Sequence, residues 1–280
     1  MEAMYYRVLE ESVQCNLCPH ECLVKEGKTG ICRVRKNENM KLKSLSYEKA
    51  TSIALDPIEK KPLKKFLPNT KVLSIGSYGC NLKCPWCQNY SISQEEPPYL
   101  NDIESTTLVK TAVKKGYPSI AFTYNEPLVN YEFVIETAKL AKQKGVKTIL
   151  VTAGYINKIP WINLLKYIDA LNIDLKGYNP KKYRRILGAD LSIIKDNIIM
   201  AYERAHVELT TLIVPNFNDN LADFEQMCSW ISRIDPKIPL HIARYFPRYQ
   251  YNEKPTKLSL MNEVKDIAKK YLENIYLGNI

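Results

Sequence analysis

Eight cysteines occur in 280 residues, and seven of them fall in two tight groups. Cys80, Cys84 and Cys87 have the spacing C-x3-C-x2-C within Tyr78-Gly-Cys80-Asn-Leu-Lys-Cys84-Pro-Trp-Cys87-Gln-Asn89. A four-iron cluster has four corners. Three thiolates leave one iron open, which a catalytic cluster needs and an electron-transfer cluster does not. Structural zinc wants a closed set of four ligands, and no fourth cysteine lies near in sequence. Gly79 permits a tight turn leading into the loop. The second group, Cys15-x2-Cys18-x3-Cys22-x9-Cys32, supplies four thiolates. That count suits zinc or a second iron–sulfur cluster. Cys228 stands alone on an amphipathic segment and reads as an inert buried thiol.

The elements that must position these groups follow from hydrophobic periodicity. From residue 72 onward, short apolar runs alternate with longer amphipathic segments. Strands are expected at 72–78, 119–124, 147–153, 170–175, 207–214 and 239–246, with a short final one at 274–277. Helices are expected at 105–115, 129–144, 162–167, 180–187, 192–205, 221–234 and 258–272. Such alternation implies βαβ units and a parallel sheet. The expected fold is α/β, an incomplete (β/α)6 TIM-like barrel with a small cysteine-rich extension at the amino terminus. The domain division is 1–70 for the extension and 71–280 for the barrel core. In such barrels reactive groups gather at the carboxyl ends of strands. Asn172, Asp174 and Lys176 alternate along one strand, so they share a face, and a polar row on a central strand is expensive unless it lines a site.

Composition limits the alternatives. The chain is 45% hydrophobic, enough for a sizeable core. No apolar run approaches a membrane span, and residues 1–12 lack the apolar stretch of a secretory signal. The expected location is cytoplasmic, where disulfides rarely persist and clustered cysteines point to metal chemistry. The net charge is +10. Residues 25–65 carry twelve Lys or Arg against five Asp or Glu. Without interleaved aromatics to stack on bases, this basic stretch reads as a solvated face, not a nucleic-acid surface. The competing class is a basic metal-knuckle protein that binds nucleic acid without catalysis.

The Cys80–Cys87 loop resembles the signature loop of the radical S-adenosylmethionine (radical SAM) superfamily. That resemblance implies a [4Fe-4S] cluster whose open iron chelates S-adenosylmethionine and cleaves it reductively to a 5′-deoxyadenosyl radical. The radical then takes hydrogen from a protein or small-molecule substrate. It implies adenine contacts from Trp86 and Asn89. Thr123-Tyr-Asn-Glu-Pro127 is similar to the family's GGEP element, with Tyr124 and Asn125 in place of glycines, and implies cofactor contacts from Asn125 and Glu126. Val151-Thr-Ala-Gly154 resembles the DTNG stretch of glycyl-radical-enzyme activases and brings in Thr152. Asp174-Leu-Lys176 matches their D-x-K, which faces the cofactor's ribose and carboxylate. Residues 15–35, 56–63 and 74–76, with Tyr276-Leu-Gly-Asn279, are similar to the radical enzymes of the AmmeMemoRadiSam system, once described as pyruvate formate-lyase-activating-like. The implied partners are a reductant such as ferredoxin or flavodoxin, a protein substrate and companion proteins of that system. Arg244 is a candidate for a substrate carboxylate or phosphate, and His241 receives no role.

Overall fold

The computed structural model describes all 280 residues. Its centre is an eight-stranded open sheet: β1 (Ser52–Pro57), β2 (Lys71–Gly76), β3 (Ser119–Phe122), β4 (Lys147–Thr152), β5 (Ala170–Asp174), β6 (His206–Ile213), β7 (Leu240–Arg244) and β8 (Ile275–Gly278). These strands lie side by side in sequence order. From β2 to β8 every neighbouring pair is parallel, and β1 pairs with β2 antiparallel. Six helices connect the parallel strands: α1 (Ser105–Lys115), α2 (Tyr131–Gln143), α3 (Lys158–Leu165), α4 (Leu191–Tyr202), α5 (Leu221–Ile234) and α6 (Leu258–Lys269). The result is the α/β architecture of a partial barrel with a mostly parallel sheet. The sheet is wider than six repeating units, because the edge strand β1 and the final strand β8 join it.

Strand alternation explains the two-sided packing. Leu73, Ile75, Ile120, Phe122, Leu150, Leu171 and Ile173 point outward into a core of 61 buried residues shared with the helices. Val72, Ala121, Ile149 and Ala170 point inward, where they meet Ile58 and Leu63 in a smaller cluster. Residues 58–67 thus plug the amino-terminal half of the barrel. Glu208 anchors the plug by accepting from the backbone N–H groups of Lys64, at 2.9 Å, and Lys65, at 2.7 Å. Asn172 also belongs to the plug, donating to the Pro62 carbonyl at 2.8 Å and accepting from Thr210. The row expected from sequence is therefore split: Asn172 faces the plug, while Asp174 and Lys176 face the opposite mouth.

The amino-terminal residues are β-structured, contrary to their weak periodicity. Tyr6–Val8, Ser12–Cys15 and Leu23–Lys25 form an antiparallel sheet, and Arg35–Glu38 pairs with Lys41–Ser44. The line at residue 70 falls between two hydrogen-bonded strands of the central sheet, β1 and β2. Arg35 and Glu132, both nearly fully buried, form a 2.6 Å ion pair that ties this region to α2. No helix is long and apolar enough to cross a membrane.

Candidate active site

The Cys80–Cys87 loop leaves the carboxyl end of β2, at the mouth opposite the plug. Asn125 staples its start: its side chain accepts from Ser77 N–H at 3.0 Å and donates to the carbonyls of Tyr78 and Gly79. Asn89 closes the other end by donating to the Tyr124 carbonyl at 2.6 Å. The loop and the Thr123–Pro127 turn are thus one hydrogen-bonded unit, although about forty residues separate them in sequence. Gly79 has φ +81°, and a Cβ there would lie 2.6 Å from the Cys32 carbonyl and 2.6 Å from Val34. Close approach and left-handed backbone both demand glycine. Gly79→Ala is expected to destabilise the fold by at least about 2 kcal/mol, read as a lower urea midpoint. An unchanged midpoint would show that the loop does not pack on the amino-terminal region as described.

All three loop cysteines are free thiols, Cys84 buried and the other two half-buried. Burial pushes all three thiols up, Cys84 to about 11. The charges facing Cys84 include Lys176 and Asp174, and Glu126 faces Cys80. Lys176 donates to Asp174 at 2.7 Å. Burial pulls the Lys176 ammonium down, but Asp174 and Cys84 outweigh it, leaving its pKa well above the usual lysine range. Glu126 is buried and accepts from Thr152 Oγ1 at 2.5 Å, Ala153 N–H at 2.8 Å and Leu128 N–H at 3.1 Å. Burial raises its carboxyl pKa against those three hydrogen bonds.

Cys80, Cys84, Cys87, Asn89, Asn125, Glu126, Thr152, Asp174 and Lys176 are therefore gathered at one mouth. Trp86 is set differently: it is 6% exposed and packs against Phe217 at 4.6 Å and Tyr251 at 5.3 Å. Arg244 is engaged by its own neighbourhood, donating from Nε to the Thr256 carbonyl at 2.7 Å. Tyr183 escaped the sequence reading. It is fully buried at the start of a π-turn, Tyr183–Leu187, facing Lys176 and Cys84. Such turns concentrate at functional sites, but the plain helix expected over 180–187 hides this one. Asn218 was also missed: it donates to the Lys176 carbonyl at 2.8 Å and so fixes the end of β5.

No three Cys, His, Asp or Glu side chains stand close enough to ligate one metal ion. A four-iron cluster takes one thiolate per iron, and three free thiols on one loop are donors of that type.

Comparison with known proteins identifies the family. Residues 74–231 match the model of the Radical SAM superfamily. An uncharacterised protein of Methanocaldococcus jannaschii is 38% identical over 287 residues, covering 100% of this chain and 85% of that protein. A putative glycyl-radical enzyme activating enzyme of the same organism is 28% identical over 218 residues, covering 72% of this chain and 79% of its own. The crystal structure of Streptococcus suis SuiB bound to S-adenosylmethionine shares the fold, with a TM-score of 0.57 at 16% identity. That match covers 72% of this chain and 48% of SuiB, so the chain spans about half its length. The family implies a [4Fe-4S] cluster and S-adenosylmethionine. This chain belongs to the radical SAM superfamily, and it is an enzyme.

Proposed function

We propose that Cys80, Cys84 and Cys87 hold a [4Fe-4S] cluster, that S-adenosylmethionine binds beside it, and that the enzyme takes hydrogen from a protein or small-molecule substrate. The observation that carries this reading is the convergence of three thiols from one loop with the Asp174–Lys176 pair at the barrel mouth. When bound, the cluster and cofactor supply a one-electron reduction that breaks a sulfonium carbon–sulfur bond and so generates an oxidant for C–H bonds.

The chain's own residues supply placement. Lys176, a cation held by Asp174, suits the cofactor's carboxylate, and the Asp174 carboxylate suits ribose hydroxyls. Glu126, with Thr152 locked to it, suits the amino group, and Asn125 and Asn89 hold the backbone that faces it. Trp86 braces the loop through Phe217 and Tyr251, with its adenine contact limited to whatever edge stays open. The reaction belongs either to a glycyl-radical activase or to a modification enzyme of the AmmeMemoRadiSam system. Both take a low-potential reductant such as ferredoxin or flavodoxin, and both direct the chemistry at a protein or at companions of one. The metal-knuckle reading loses its support, since the basic stretch lies within the extension and the loop cysteines sit at a barrel mouth.

Anaerobic reconstitution with iron and sulfide, followed by dithionite and S-adenosylmethionine, should yield 5′-deoxyadenosine. Asp174→Asn and Lys176→Met should each weaken cofactor binding about 10- to 100-fold, the value of a hydrogen bond to a charged group, measured by calorimetry. No deoxyadenosine from fully loaded protein would refute the proposal, and unchanged affinity in both variants would refute the placement.

A further inference from the structure

The four amino-terminal cysteines arrive from different turns. Cys15 ends a strand, Cys18 and Cys22 flank the turn before the next strand, and Cys32 precedes the Arg35–Glu38 hairpin. All four line a single cavity of about 10 Å³, and none is in a disulfide. From these residues we propose that the cavity holds a second [4Fe-4S] cluster, ligated by Cys15, Cys18, Cys22 and Cys32. The proposal deepens the reading above but rests on a separate set of ligands.

The first argument is charge. Arg35 also lines the cavity and is 1% exposed. Its Nη2 is used, by Glu132 at 2.6 Å and the Met4 carbonyl at 2.8 Å. Its Nε and Nη1 are buried with no partner. Two guanidinium nitrogens left bare are costly unless an anion accepts from them. A four-iron cluster carrying four thiolates is such an anion, and uncharged thiols are not.

The second argument is size. Zinc draws four sulfurs to about 2.3 Å from one centre, which leaves no space among them. Here the four cysteines, with nine other residues, line a void with room for about one water. Thiolates on separate irons of a cubane stand apart in this way.

The third argument is the local chain. Ile31 N–H donates to Cys22 Sγ at 3.4 Å. A Cβ on Gly30 would lie 3.4 Å from the same sulfur, so glycine lets the backbone pass close over it. At Cys15, Cys18 and Cys32 the backbone N–H two residues on turns toward the sulfur. The catalytic loop repeats the arrangement, with Leu82 N–H donating to Cys80 Sγ at 3.3 Å. The two sites also share a wall. Asn81, which follows Cys80, lines this cavity, and His20 hydrogen-bonds the Asn81 carbonyl at 2.7 Å.

The test is iron and acid-labile sulfide in the full-length chain after anaerobic reconstitution. Wild type should hold about eight irons and eight sulfides, twice the content of one four-iron cluster. The Cys80/Cys84/Cys87→Ala triple variant should keep half of each, along with an iron–sulfur absorption band. Stoichiometric zinc without iron in the triple variant overturns the proposal, as do four irons in wild type. If wild type makes no deoxyadenosine while the triple variant keeps its iron, the catalytic reading fails and this one stands.

Discussion

Cys84→Ala is expected to abolish formation of 5′-deoxyadenosine, down to the background of cluster-free protein. The substitution removes one of three thiolates, and the two left on one loop cannot retain a four-iron cluster with a single open corner. Iron content falls by about four per chain. The fold itself stays intact. Cys84 contributes one small side chain to a core of 61 residues, and the loop's backbone is held by Asn125, Asn89 and the bond from Lys83 N–H to the Leu187 carbonyl. Circular dichroism and a urea midpoint near that of wild type separate loss of the cluster from loss of structure. Full turnover in Cys84→Ala would remove this residue from the ligand set. Because burial holds the Cys84 thiol near a pKa of about 11, loading must displace protons. Reconstitution is accordingly expected to be faster toward alkaline pH.

Glu208→Ala is expected to lower stability by about 3–5 kcal/mol, the penalty for breaking a buried charged network. Glu208 is fully buried, pairs with His206 at 2.9 Å and His241 at 2.6 Å, and receives two backbone N–H groups from the plug. Removing the carboxylate leaves those four donors without an acceptor. Burial alone would raise the carboxyl, but the hydrogen bonds from His206 and His241, then those from Lys64 and Lys65, carry it down to about 2 from an ordinary 4.5. A depressed acid contributes stability that is complete above its unfolded value and is lost as pH falls through the folded one. The window therefore runs from about 4.5 down to about 2, and the contribution is about 3 kcal/mol. Urea denaturation across that range should show wild type losing stability with a slope that Glu208→Gln flattens. Equal slopes in the two proteins would deny Glu208 this role.

The plug reaches the cysteine-bearing mouth through β5. Asn172 is bound to residue 62, while Asp174, two residues on, meets Lys176 beside the cysteines. An adjacent device ties the same region to the Thr123–Pro127 turn: Asp56 accepts from Lys61 at 2.7 Å and Tyr124 at 2.6 Å. Tyr124 stands where the family's GGEP element has glycine, and Gly76 makes room for its ring, since a Cβ there would lie 2.7 Å from Cδ2. The departure from the family pattern is thus accommodated by β2 and the plug together.

The helices at 105–115 and 221–234 run in the structure as their periodicity predicts, and the parallel strands fall within two residues of expectation at most ends. Apolar alternation and the 3.6-residue repeat are local properties, written into neighbouring residues, so the barrel core and its cysteine loop were legible in the sequence. What the chain does at longer range was not. Short amino-terminal strands with polar faces carry little periodic signal, and β1 finds its partner only beyond the plug segment, residues 58–70. The fate of Asn172, the burial of Arg35 against Glu132, the enclosure of Trp86 and the meeting of Cys32 with Gly79 all join residues far apart in sequence. Each depends on where the closing barrel brings backbone and side chain together, a matter of three-dimensional packing that no local pattern encodes.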